Sequence, residues 1–252
     1  MIVFLPIIVI GILAGLHFHL RSLYRTQFEN QFPRLRDCAI KARQVKEDGI
    51  KLANTLKFDR AVAELGSARD FYQYCEVFFP TGLSAFYNSG RDLDGARKAF
   101  YMDFSDLFFQ FALIQQAEEN QKPDLDLALG AISMAIETID KACEAVGDDY
   151  CVSRKQSYFT ILGDMYRVKK DFKRAVNMFK QADTLKPDDP ANLSFWGLSL
   201  FESGDHKGAQ KKWERAVAKD PNAPAKEMIR QYAVSSNAPR PPLKVRGGEG
   251  EL

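Results

Sequence analysis

The feature that most constrains this chain is a period of 34 residues in its C-terminal half. Gly163 returns as Gly197, Tyr166 as Leu200, Ala175 as Ala209, Phe179 as Trp213, Ala182 as Ala216 and Pro187 as Pro221. Small residues recur where two helices can cross closely, and large ones recur where a gap between helix pairs must be filled. Lys170-Asp171 and Gly204-Asp205 mark turns within each unit, and Pro187 and Pro221 stop its second helix. A fixed period of this length describes a stack of helical hairpins, each burying its apolar face on its neighbour.

These positions resemble the tetratricopeptide repeat, W-x₂-L-G-x₂-Y followed by A-x₃-F and P. One copy reads Phe159-x₂-Leu162-Gly163-x₂-Tyr166, then Ala175-x₃-Phe179 and Pro187. The next reads Leu193-x₂-Trp196-Gly197-x₂-Leu200, then Ala209-x₃-Trp213 and Pro221. A degenerate copy lies near the front, where Gly49, Phe58, Ala61, Leu65 and Ala68 keep the same internal spacing, although Asp48 stands in place of the leucine. The resemblance implies an all-α solenoid whose first helices line a concave face that binds proteins. The Lys and Asn that clamp a peptide carboxylate in some relatives are missing. Thr160, Asp164, Ser194 and Leu198 stand at those positions.

The expected organisation is an N-terminal transmembrane helix followed by the solenoid. Residues 1–20 form an anchor, 21–33 a basic juxtamembrane linker and 34–75 a degenerate helical pair. Irregular lengthened helices follow over 76–155, then full repeats at 156–189 and 190–223. A capping helix at 224–234 and a disordered tail at 235–252 complete the chain. The anchor rests on an uncharged run ending at Arg21, just long enough to span about 30 Å. A cleaved signal peptide is its rival, but neither a basic start nor a small-x-small site is present. Arg21, Arg25, Arg34, Arg36, Lys41, Arg43 and Lys46 follow the run and no basic residue precedes it. That asymmetry places the soluble domain on the cytoplasmic, matrix or stromal side, with a periplasmic or lumenal domain as the alternative. Gly11 and Gly15 have the spacing of a helix–helix contact in a membrane.

Phe100, Phe104, Leu107, Phe108 and Phe111 form a stripe read as core rather than as a binding face. Cys38, Cys75, Cys143 and Cys151 have no metal-binding spacing and read as buried or idle thiols. The alternative is a Cys143–Cys151 disulfide, which needs an oxidising compartment. Pro239 to Lys244 reads as solvated tail, with a proline-rich docking motif as the alternative. Net charge is +2, so nothing points to nucleic acid. No phosphate loop, zinc motif or nucleophile elbow is present, and neither an enzyme nor a cofactor or metal is implied.

The function expected is a membrane-tethered adaptor that holds partner proteins and organises a membrane-associated complex. An assembly or stability factor, or a permanent accessory subunit of such a complex, is the alternative. The groove-facing positions expected are Thr160, Asp164 and Arg167, then Ser194, Leu198 and Phe201. Leu198 and Phe201 are apolar, so they suit either an anchor pocket or a surface covered by the capping helix or the tail.

Overall fold

A glycine lies beneath a large residue sixteen positions later in three places, and this contact organises the chain. A Cβ added at Gly49 would meet Leu65 at 2.8 Å, at Gly163 would meet Phe179 at 2.7 Å, and at Gly197 would meet Trp213 at 2.2 Å. The computed structural model describes residues 22–23, 34–76, 79, 91–117, 124–145 and 149–233, and they form helices and turns. In chain order the helices are α1 (34–54), α2 (Phe58–Glu76), α3 (Arg91–Gln116), α4 (Leu125–Ala145), α5 (Asp149–Val168), α6 (Phe172–Leu185), α7 (Pro190–Glu202), α8 (His206–Lys219) and α9 (Ala225–Ala233). Helices α3/α4, α5/α6 and α7/α8 pair as hairpins, α1 joins α2 through the Gly49–Leu65 contact and the Cys38–Cys75 disulfide, and α9 packs on α7 and α8.

The second helices carry one pattern four times. Ala61-x₃-Leu65-x₂-Ala68, Ala128-x₃-Ile132-x₂-Ala135, Ala175-x₃-Phe179-x₂-Ala182 and Ala209-x₃-Trp213-x₂-Ala216 are buried throughout. The middle of the chain, expected to be irregular, thus holds a hairpin with the same packing code on longer helices. Its first helix has 26 residues and buries Phe100, Phe104, Leu107 and Phe108. Phe104 stacks on Tyr72 at 4.9 Å and on Phe108 at 5.0 Å, so the aromatic stripe is core.

Local chemistry sets the turns. Leu56, Lys170 and Gly204 share a left-handed backbone, with φ of 58°, 62° and 96°, at equivalent turn positions. Only the last is the glycine that this conformation favours. Asp171, Asp189 and Asp205 cap α6, α7 and α8, each carboxylate accepting a backbone N–H three residues on. Such a cap contributes about 1 kcal/mol. Pro190 opens α7, where its missing N–H costs nothing.

Two findings correct the sequence reading. The four cysteines are not idle thiols. Cys38 pairs with Cys75 across α1/α2, with Cα atoms 5.8 Å apart, and Cys143 pairs with Cys151 across α4/α5, with Cα atoms 5.7 Å apart. The expectation of a single-pass membrane protein with its domain on the cytoplasmic side is also overturned. Among the described residues no helix is long and apolar enough to cross a membrane, and disulfides persist in oxidising rather than reducing surroundings. The 1–20 segment, with Gly11 and Gly15, lies outside the described residues, as does the 235–252 tail.

Glycines in this fold should respond to alanine with opposite signs. Gly197→Ala should lower the free energy of unfolding by about 1–3 kcal/mol, because the Trp213 indole must move and its bond to the Ser194 carbonyl breaks. Gly130→Ala meets nothing within 4 Å and should raise it by about 0.5–1 kcal/mol through helix propensity. Urea unfolding of the two variants measures both. Reducing the disulfides, which are separated by 37 and 8 residues, should destabilise the chain by about 2–4 kcal/mol each. Thermal melts with and without a phosphine reductant give that shift.

Candidate protein-interaction face

The first helices α1, α3 and α5 bring a set of charged residues together that neighbouring sequence does not. Lys46 of α1 has a side chain only 6% exposed. Burying an ammonium group is costly unless carboxylates meet it. Its Nζ donates to Asp103 Oδ1, to Asp106 Oδ2 at 3.2 Å and to the Asp103 carbonyl at 3.4 Å. Arg43 Nε donates to the other oxygen of Asp103 at 2.9 Å, and the Tyr72 hydroxyl donates to that same oxygen. Arg154 of α5 reaches Asp106 Oδ1 at 3.3 Å through Nη1. Its remaining nitrogens donate to the Tyr150 hydroxyl at 3.1 and 3.3 Å. The network joins α1, α2, α3 and α5.

The environment fixes the protonation states. Burial disfavours the Asp103 carboxylate, but the bonds and charge of Lys46, with Tyr72 and Arg43, outweigh it and hold its pKa below the usual range. Burial, and then Asp103, push the Tyr72 phenol well above its ordinary value, so it remains a donor. Above this network opens a cavity of about 370 Å³. Arg43 lines it from α1, Lys98, Met102, Asp103 and Asp106 from α3, and Tyr150 and Arg154 from α5. Its lining therefore comes from the first helices of three successive hairpins.

The positions expected from the sequence to line a groove divide into three groups. Thr160 and Ser194 are buried, and this corrects their placement. The Thr160 hydroxyl sits 3.2 Å from Asn192 Oδ1, and the Asn192 amide donates to the Phe179 carbonyl at 3.0 Å. Ser194 Oγ donates to the Pro190 carbonyl at 2.6 Å and accepts the Ala225 N–H at 3.2 Å. Both hydroxyls satisfy interior polar groups instead of facing a ligand. Phe201 lies under the capping helix, its ring 4.1 Å from Tyr232 and 4.6 Å from the exposed His206. Leu198 is half-buried beside the same cluster. Asp164 and Arg167 remain near the surface, where Arg167 joins Asp164 at 2.7 Å to Glu202 at 2.8 Å. Among the described residues no group of three His, Cys, Asp or Glu could hold a metal.

No protein-family model matches the chain, and no curated protein matches it. Solved structures similar to it include tetratricopeptide-repeat proteins. YrrB, a TPR protein with an unusual peptide-binding site, is 11% identical over 74% of this chain and 90% of its own, with a TM-score of 0.35. TTC0263, a thermophilic TPR protein of Thermus thermophilus, is 16% identical over 77% of this chain and 98% of its own, with a TM-score of 0.37. The TPR2AB domain of yeast Sti1, in complex with pHSP90, is 15% identical over 77% of this chain and 86% of its own, with a TM-score of 0.26. What makes the fold tetratricopeptide-like is the hairpin packing within this chain.

Asp103→Asn should cost about 1–3 kcal/mol, because Lys46 then keeps only the Asp106 carboxylate at 3.2 Å, and Arg43 and Tyr72 lose a charged acceptor. The wild-type pH dependence follows from the lowered Asp103 pKa. Its contribution is complete above the unfolded carboxylate value of about 4 and is lost as pH falls through the lower folded value. The urea midpoint should therefore fall below about pH 4 in the wild type, with part of that fall removed in Asp103→Asn.

Proposed function

We propose that the chain is a helical-repeat scaffold that holds a partner protein against the face formed by its first helices. The observation that carries this reading is the cavity between α1, α3 and α5. Its lining of Arg43, Lys98, Met102, Tyr150 and Arg154 is not what hairpin packing demands, since the packing code sits on the glycines, alanines and aromatics. A face of first helices offers adjacent parallel rods, and a partner segment crossing them meets several hairpins at once.

Site-specific photo-crosslinking tests the reading. A photoreactive residue at Met102, on the cavity wall, should give a discrete crosslinked adduct in the native host. The same residue at Lys180, on the exposed side of α6, should not. Equal labelling at both positions, or none at Met102, would rule the first-helix face out.

A further inference from the structure

Deepening the scaffold reading, we infer that the cavity between α1, α3 and α5 takes an acidic side chain of the partner, presented on an extended segment with an apolar residue beside it. The inference starts from charge accounting. Asp103 and Asp106 are the two carboxylates of the cavity, and every one of their four oxygens already accepts from a cation within the protein. They are therefore spent as acceptors and offer an incoming cation little. Three cations, Arg43, Lys46 and Arg154, bond to these two carboxylates, so the bonded cluster holds one positive charge more than the carboxylates offset, with Glu47 the further carboxylate that acts on Arg43.

The cations divide by depth. Lys46 is enclosed and holds the carboxylates, so it shapes the floor. Arg43 is 53% exposed and meets Asp103 through Nε alone. Arg154 is 36% exposed and gives Nη1 to Asp106. Arg43 is therefore pinned by one bond to the floor, and Arg154 by one bond to the floor and two to the Tyr150 hydroxyl, while both remain partly open to solvent. A guanidinium held in this way is oriented before a carboxylate arrives, and less side-chain entropy is lost in binding it. Tyr150, 56% exposed, lies under Arg154 with the guanidinium carbon 5.6 Å from its ring centroid. With Met102 it gives the rim an apolar surface for the neighbouring residue of the segment. A volume of about 370 Å³ suits one or two side chains.

The partner's sequence is not required for the test. The probes are two fluorescein-labelled twelve-residue peptides, one alternating Glu with Leu and the other Lys with Leu, titrated by fluorescence anisotropy against the oxidised full chain. The Glu peptide should bind, with affinity falling as salt rises from 50 to about 300 mM because exposed charges are screened. Arg43→Gln and Arg154→Gln should each weaken it about tenfold, Arg43→Gln/Arg154→Gln should abolish it, and Lys180→Gln should leave it unchanged. Unfolding midpoints of all variants separate lost binding from lost folding. Gln is used because it can still bond to Asp103 or Asp106. Preference for the Lys peptide, or Glu-peptide binding untouched in the folded double variant, would overturn the inference. The scaffold reading has its own fate. If the Met102 crosslink survives in the double variant, the partner uses this face without an acidic anchor. If crosslink and peptide binding are both missing from the wild type, both readings fall.

Discussion

Each hairpin built on glycine depends on a first helix that leaves no room for a side chain where its partner's largest residue arrives. Gly49, Gly163 and Gly197 are those floors, and Leu65, Phe179 and Trp213 rest on them. Close approach of the two backbones lets the alanines four before and three after each large residue reach full burial. Trp213 also turns its one polar atom to advantage, donating to the Ser194 carbonyl at 3.1 Å. Close packing of this kind is what transmits a one-atom change into a measurable loss.

The polar network solves a different problem for the same array. Hairpins stacked by apolar contact alone can slide, because the hydrophobic effect has no direction. Lys46, Tyr72, Asp103, Asp106 and Arg154 supply direction, since each bond is short-ranged and angular. Farther along, Thr160, Asn192 and the Phe179 carbonyl tie α5, α6 and α7 in a smaller version of the same device. With the buried Ser105 and Tyr158 hydroxyls 3.3 Å apart between α3 and α5, adjoining hairpins share at least one buried polar tie from α1 to α7.

How much of this could be read beforehand depended on distance along the chain. The glycine-to-aromatic spacing is local and repeats, so the C-terminal hairpins and the degenerate front copy stand out in the sequence. The α3/α4 hairpin does not, because sixteen residues before Ile132 stands Gln116 rather than a glycine, and its connection is longer. The cavity was invisible for a plainer reason. Arg43 meets Asp103 across 60 residues and Arg154 meets Asp106 across 48, and no short pattern encodes such meetings. Attention to the groove-facing register of the strong repeats led to Thr160 and Ser194, whose hydroxyls turn inward. Spacing hid the Cys38–Cys75 pair too, since partners 37 residues apart leave no motif, whereas Cys143 and Cys151, separated by 8, lie near enough to read as an alternative disulfide.

Both disulfides lie in the first three hairpins, and α6 to α9 contain none. The array is therefore mechanically lopsided. A pull on the C-terminal end meets only non-covalent contacts, and hairpins held by nearest-neighbour packing come away one after another from that end. At the front the same pull meets covalent loops. Sealing a 37-residue separation takes roughly 120 Å out of the length to which the oxidised chain can be drawn. Under load the protein behaves as a short, inextensible stem with a peelable tip, and the charged cavity is built into the stem.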